Sequence, residues 1–198
     1  VLMLVMGDMP LGKRAYWPIY AAAERLGLAV GIHAGSAYHN PPTSVGWGSY
    51  HVEDYVAQAQ AFQTQMTSLI IEGVFARHPK LKMVMLESGF TWLPSYLWRL
   101  HKFWRGVRME TPWVDRPPQE IVRSNVRFSL QPVDAPPEPD MLNRVIEHMQ
   151  SDELLLFSTD YPHWQFDGEA VLPEGISSDL VRKIMIDNPL ATYGRLNA

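Results

Sequence analysis

Three residues that could do chemistry stand where apolar segments of the chain end. His33 and Glu87 each close an apolar run, and Asp160 closes a third run within the motif Ser-Thr-Asp-Tyr-Pro. Imidazole and carboxylate are the ligands that zinc, manganese or iron take in catalytic sites with an open position. A bound metal lowers the pKa of water to about 7, and a nearby Asp can ligate the metal, accept the proton of that water, or do both.

Each of these residues also has a structural interpretation. A single His at a strand end is more often a hydrogen-bonded structural residue than a ligand. Asp160 could cap the turn that follows it, because Asp bonds its own downstream backbone. Glu87 could accept hydrogen bonds from the turn at Ser88 and Gly89. At one edge of one sheet, however, the three side chains would converge, and together they predict a metal-dependent enzyme.

Two further residues are candidates for contact with a substrate. His163 lies three residues after Asp160; it could bind substrate or shuttle a proton, or it could pack among the neighbouring aromatic residues. Trp92 is our second candidate for substrate binding. Trp92, Trp98 and Trp104 recur at six-residue steps, which is not one helical face. Core packing or a subunit contact is therefore the alternative interpretation of Trp92.

The elements that must position these residues alternate along the chain. Nearly continuous apolar runs without alternation are typical of strands covered on both faces. They predict five strands, at residues 1–6, 28–33, 81–87, 126–131 and 154–160. Helical spacing predicts helices at residues 16–26, 52–77 (one helix, or two broken at Gly73), 92–108, 138–149 and 178–187. Residues 34–50, with Trp47 between two glycines, form a candidate lid. Two histidines are associated with it, His39 and His51, and loop histidines of this kind are more often surface residues.

This alternation predicts an α/β fold with right-handed crossovers. No Gly-x-Gly-x-x-Gly motif follows a strand, which argues against a dinucleotide-binding sheet. An eight-stranded barrel takes about 250 residues. Five strands in 198 residues therefore predict the C-terminal five βα units of a TIM-type (β/α)8 barrel, in a single partial domain over residues 1–198, with the first three strands absent. The apolar opening run lacks signal-peptide flanks, so we expect a segment ahead of it.

The composition of the chain excludes several classes of function. Residues are 46% hydrophobic and 19% charged, with a formal net charge of −4. No basic run is present, so we expect neither nucleic acid nor a membrane as partner. Cysteine is absent, which excludes disulfides, thiol nucleophiles and iron–sulfur clusters and permits a reducing compartment. We therefore expect a cytoplasmic protein that acts on a small molecule.

Several motifs resemble the amidohydrolase superfamily, in the amidohydrolase-2 branch typified by aminocarboxymuconate-semialdehyde decarboxylase. The resemblance runs along essentially the whole chain, and its most specific part is the last strand. The motifs that carry it are Tyr16-Trp17-Pro18-Ile19-Tyr20, Ile32-His33-Ala34-Gly35, Phe75-Ala76-Arg77-His78-Pro79, Glu87-Ser88-Gly89, Trp92-Leu93-Pro94 and Ser158-Thr159-Asp160-Tyr161-Pro162-His163-Trp164.

The resemblance implies a barrel with one divalent metal, zinc in preference to manganese, and a tendency towards homodimers. His33 matches the family's fifth-strand ligand and Asp160 its eighth-strand ligand. The family's first-strand His-x-His pair has no counterpart in this sequence, in agreement with the count of strands. Glu87 stands where family decarboxylases have a His that assists protonation.

These departures leave three functions open. The first is a metal-dependent hydrolase that acts through metal-activated water with Asp160 as base, on a small substrate that is aromatic or bears a carboxylate. Glu87 in place of the His favours it. The second is a non-oxidative decarboxylase of the same family, and the third is a non-catalytic, truncated barrel. A metal-free lyase or isomerase using Glu87 and His163 as an acid–base pair is a weaker idea.

Overall fold

The computed structural model describes residues 1–35, 39–136, 138–164 and 166–197. Its centre is a five-stranded sheet in which every strand is parallel to its neighbours and strand order follows chain order. The strands are β1 (Leu2–Leu4), β2 (Val30–His33), β3 (Met83–Leu86), β4 (Val126–Ser129) and β5 (Leu155–Leu156). The predicted α/β class and all five predicted strand positions are confirmed.

Helices cross over between successive strands, as a parallel sheet requires. They are α1 (Trp17–Leu26), α2 (His51–Ile71), α3 (Val74–Arg77), α4 (Leu93–Val107), α5 (Pro118–Asn125), α6 (Pro139–Met149), α7 (Ser178–Arg182) and α8 (Asn188–Thr192). Gly27 ends α1 and Gly73 separates α2 from α3, with φ of 63° and 83°, where a residue with a side chain would be strained. None of the described helices is long and apolar enough to cross a membrane.

The two faces of the sheet differ in what covers them. The register places Ile32, Met85 and Phe128 side by side on one face, where they are fully buried in the core. Their alternating neighbours point to the other face, which carries His33 at its carboxyl end. There Leu2 and Leu4 remain 64% and 59% exposed. His33 therefore lies at the carboxyl end of the face opposite the one that carries Ile32, Met85 and Phe128.

Two predictions of element bounds are wrong in detail, and one helix was not predicted. All five strands are shorter than predicted; β3 ends just before Glu87, where the backbone is left-handed (φ 56°). Helix α5 was not predicted, since eight residues give too little periodicity. The segment 178–187 is α7 followed by a π-helical stretch, Lys183–Asp187, and the chain continues into α8.

Candidate active site

His33 ends β2 with both ring nitrogens engaged. Its Nδ1 lies 2.5 Å from the carbonyl oxygen of Ala34. A carbonyl only accepts, so Nδ1 carries the proton in this arrangement. The second nitrogen, Nε2, lies 2.8 Å from Oε1 of Glu87. A proton on either Nε2 or Glu87 makes this second contact favourable.

Glu87 reaches His33 because its backbone leaves the strand geometry. Leu86 is paired with His33 in the register, so regular alternation would direct the next side chain to the opposite face of the sheet. The left-handed backbone at Glu87 (φ 56°) re-aims it, and its N–H donates to Oγ of Ser129 at 2.9 Å. Burial raises the pKa of the Glu87 carboxyl, His33 opposes that shift, and the nearby Asp160 charge adds to it.

Asp160 and His163 meet Glu87 from the loop after β5. Asp160 also has a left-handed backbone (φ 57°), and its side chain is 9% exposed. Its Oδ2 lies 3.4 Å from Nδ1 of His163, and both atoms are buried without a hydrogen-bond partner among the described residues. Residues other than glycine adopt this left-handed backbone conformation at a cost of about 1–3 kcal/mol, and such residues cluster at functional sites.

A cavity of about 260 Å³ adjoins this cluster, and Asp160 is not among the residues that line it. Its lining includes His33, Glu87 and His163 from the sheet side and Asp54, Tyr55 and Gln58 from α2. The loop after β5 also reaches α2, because Nε1 of Trp164 lies 3.4 Å from the hydroxyl of Tyr55 and the two rings meet edge to face at 5.9 Å. Helix α2 therefore forms one wall of the candidate site.

Two glutamines of α2, both buried, fix the loops around the site. Gln58 bonds both backbone groups of Gly35, just after His33, through Nε2 at 2.6 Å and Oε1 at 3.3 Å. Gln65, two turns further, bonds the carbonyl of Val5 at 2.6 Å and the N–H of Leu11 at 2.7 Å. The sequence analysis did not identify either glutamine, because Gln is common in helices. The signal in the sequence was their spacing of seven residues, which places both on one face of the helix.

Trp92 lies apart from this cluster. Its Nε1 donates to the carbonyl of Ser88 at 2.9 Å, and its ring meets Tyr96 and Phe128 edge to face. It is not among the residues that line the cavity beside His33. This placement favours the packing interpretation, and its substrate-binding role stays a prediction without support from the geometry.

The donor set fits a divalent metal only in part. His33 has one nitrogen held by a carbonyl, as metal-ligating histidines usually do, and Asp160 offers a buried oxygen without a partner. In the described ranges, however, no group of three or more His, Cys, Asp or Glu side chains is arranged to hold a metal ion. A catalytic zinc site takes three protein ligands. The described residues therefore supply two candidate ligands and not a complete set.

Comparison with solved structures shows the same fold. An amidohydrolase, map2389c, from Mycobacterium avium subsp. paratuberculosis K-10 is 30% identical, with a TM-score of 0.77 over 98% of this chain and 51% of that one. 5-Carboxyvanillate decarboxylase LigW from Sphingomonas paucimobilis is 21% identical (TM-score 0.73; 98% and 58% covered). A dihydroxybenzoic acid decarboxylase from Polaromonas sp. JS666, solved with manganese and the inhibitor 2-nitroresorcinol, is 19% identical (TM-score 0.71; 96% and 56% covered).

The chain thus spans about half the length of these solved proteins. The likeness confirms the predicted fold class, a set of βα units of a TIM-type barrel. No curated protein matches the chain significantly. The family profile Amidohydro_2, described as amidohydrolase, matches residues 1–195. This chain therefore belongs to the amidohydrolase family.

Proposed function

We propose that the cluster of His33, Glu87, Asp160 and His163 is the acid–base part of a hydrolase active site. The observation that carries this proposal is the meeting of two carboxylates in different environments beside one cavity. Burial favours the protonated form of Glu87, whereas Asp160 faces His163. Pairs of carboxyls whose surroundings differ in this way divide the roles of acid and base.

In the proposed reaction Asp160 acts as general base. A water molecule attacks the carbonyl carbon of an amide or ester, and Asp160 accepts the proton of that water as the new C–O bond forms. His163, 3.4 Å from Asp160, takes up the positive charge when a proton moves on to its Nδ1. This geometry supports a proton path away from the attacked carbon.

Glu87 acts as general acid in the same reaction. It donates its proton to the leaving nitrogen or oxygen as the C–N or C–O bond breaks, which yields a carboxylic acid and an amine or alcohol. Nε2 of His33 accepts a hydrogen bond from the protonated Glu87 across their 2.8 Å contact, and solvent restores the proton that Glu87 gives up. The family's divalent metal, with His33 and Asp160 as its candidate ligands in this chain, would supply Lewis-acid polarisation of the substrate oxygen when bound.

Loss of carbon dioxide is the second candidate function. A protonated Glu87 beside the cavity could protonate the carbon from which carbon dioxide departs, and two of the similar folds are decarboxylases. Hydrolysis incorporates an oxygen atom of water into the product and decarboxylation does not. Turnover in isotopically labelled water, followed by mass spectrometry of the product, separates the two reactions.

The test compares Asp160→Asn with wild type on a panel of small amides, esters and aromatic carboxylic acids. General-base catalysis contributes about 10²–10⁴-fold, so we expect kcat to fall by about that factor. Asp115→Asn, an exposed carboxylate outside the cavity, is the matched control and should retain the wild-type rate. Unchanged turnover in Asp160→Asn would remove Asp160 from the mechanism.

Metal content is measured on the same preparations by elemental mass spectrometry. About one zinc or manganese ion per chain in wild type, reduced in His33→Ala, would support His33 as a ligand. A metal-free wild type would contradict that role, and full activity after chelation would favour the metal-free acid–base pair. A chain that turns over none of the panel would favour a non-catalytic role.

A further inference from the structure

A second cavity adjoins the first at Asp54. It has a volume of about 400 Å³ and lies between residues 42–50 and the first turns of α2. Its lining includes Trp47, Tyr50, Glu53 and Asp54, and Asp54 lines the first cavity as well. The two cavities therefore lie on either side of Asp54, which is the lining residue that they share.

The two carboxylates of this region differ in what they bind. Glu53 is fully used by the chain itself, because its Oε2 accepts from the N–H groups of Ser49 and Tyr50 at 2.7 and 2.8 Å. Asp54 accepts from Nε2 of Gln58 at 3.3 Å through Oδ2 only. Its Oδ1 is buried and has no hydrogen-bond partner among the described residues. A buried, unpaired carboxylate oxygen is costly, so a donor from a ligand would stabilise it.

The residues around Asp54 indicate the charge that such a ligand would carry. Among the described residues that line the two cavities there is no Lys or Arg. The carboxylates of Glu53 and Asp54 are present, together with three histidines, His33, His51 and His163. Trp47 and Tyr50 add aromatic surface, and Trp47 is 59% exposed. Aromatic faces next to a carboxylate attract organic cations. A carboxylate ligand would instead meet like charges.

We propose that Asp54 binds an ammonium group of the substrate, with Trp47 and Tyr50 beside the part of the substrate that carries it. The reacting end then lies in the first cavity, against Glu87 and His163. This inference rests on the proposed function for the position of the reacting end, and it names the substrate class as amine-bearing compounds.

The test is a binding measurement that needs no turnover. Three probes of matched size are titrated into the purified chain by calorimetry: 2-phenylethylamine, 2-phenylethanol and 3-phenylpropionate. We expect the amine to bind at least about tenfold more tightly than the alcohol or the acid, because a hydrogen bond to a charged group is worth more than a neutral one. Asp54→Asn should reduce the affinity for the amine by a similar factor.

Two variants keep the result interpretable. Asp115→Asn removes an exposed carboxylate elsewhere and should leave amine binding unchanged. Trp47→Ala truncates an exposed ring, so it should have little effect on folding. It should reduce the affinity of the chain for 2-phenylethylamine. Equal affinity for the three probes, no measurable binding of the amine, or an unaffected Asp54→Asn would each overturn the inference. Inactivity of the chain towards amides and esters would overturn the proposed function and leave this binding result standing.

Discussion

The hydrogen bonds of Gln58 provide a direct test of how α2 holds the site. Gln58→Leu keeps a similar side-chain volume but removes the donor to the Gly35 carbonyl at 2.6 Å and the acceptor for the Gly35 N–H at 3.3 Å. It also removes the longer bond to Oδ2 of Asp54 at 3.3 Å. The two bonds to Gly35 contribute a net free energy of about 1 kcal/mol each, so the loss is at least about 2 kcal/mol. For a domain of this size the melting temperature should fall by roughly 4–8 °C.

The assay is thermal unfolding followed by far-ultraviolet circular dichroism. Gln60→Leu, two residues along the same helix and exposed, is the matched control and should change stability by less than about 0.5 kcal/mol. If Gln58→Leu melts within about 1 °C of the control, the two bonds do not stabilise the loop after His33 and the reasoning is refuted. A melting point lowered as expected, together with reduced turnover, would link this loop to the position of His33.

Three further predictions follow from the described contacts. Gln65→Leu should lower the free energy of unfolding by about 2–4 kcal/mol, measured in urea, because it leaves two buried backbone groups without partners. Burial raises the pKa of Glu87, so the native state retains a proton that the unfolded chain releases. Wild type should therefore lose stability as pH rises from the ordinary glutamate pKa through the raised one; in Glu87→Gln, melting temperatures across that range should not show this loss. Gly89→Ala should destabilise by at least about 1–2 kcal/mol, since φ is 63° and the added Cβ would lie 2.3 Å from Oδ2 of Asp134. Gly106→Ala, on α4 with no atom within 4 Å of the new Cβ, should instead stabilise by about 0.4–1 kcal/mol, and equal melting points for the two alanine variants would contradict both estimates.

The chemical side chains of the sheet could be predicted because their position follows from local pattern. His33, Glu87 and Asp160 come directly after apolar runs, and the carboxyl ends of parallel strands meet at one edge of a sheet. The structure brings these three together with His163. Their catalytic and ligand roles stay predictions, as do the homodimer and the cytoplasmic location.

The contribution of α2 could not be predicted in the same way. Asp54 and Gln58 lie on a helix whose sequence shows only ordinary helical periodicity, and their meaning depends on which loops the helix packs against. Glu53 accepts from the local backbone at the start of α2, whereas Asp54 accepts from Gln58 and keeps one oxygen without a partner among the described residues. Likewise the re-aimed side chain of Glu87 depends on a backbone angle that no residue type announces.

The order of the strands has a consequence for how the site is assembled during folding. Each strand pairs with the strand that precedes it in the chain, so pairing can advance from β1 to β5 without waiting for distant segments. His33 arrives with β2 and Glu87 with β3, whereas Asp160 and His163 follow β5. A nascent chain therefore brings the proposed acid–base cluster together only when the last strand joins. Intermediates with four strands would carry His33 and Glu87 without Asp160, the proposed base, although most of their core would be folded.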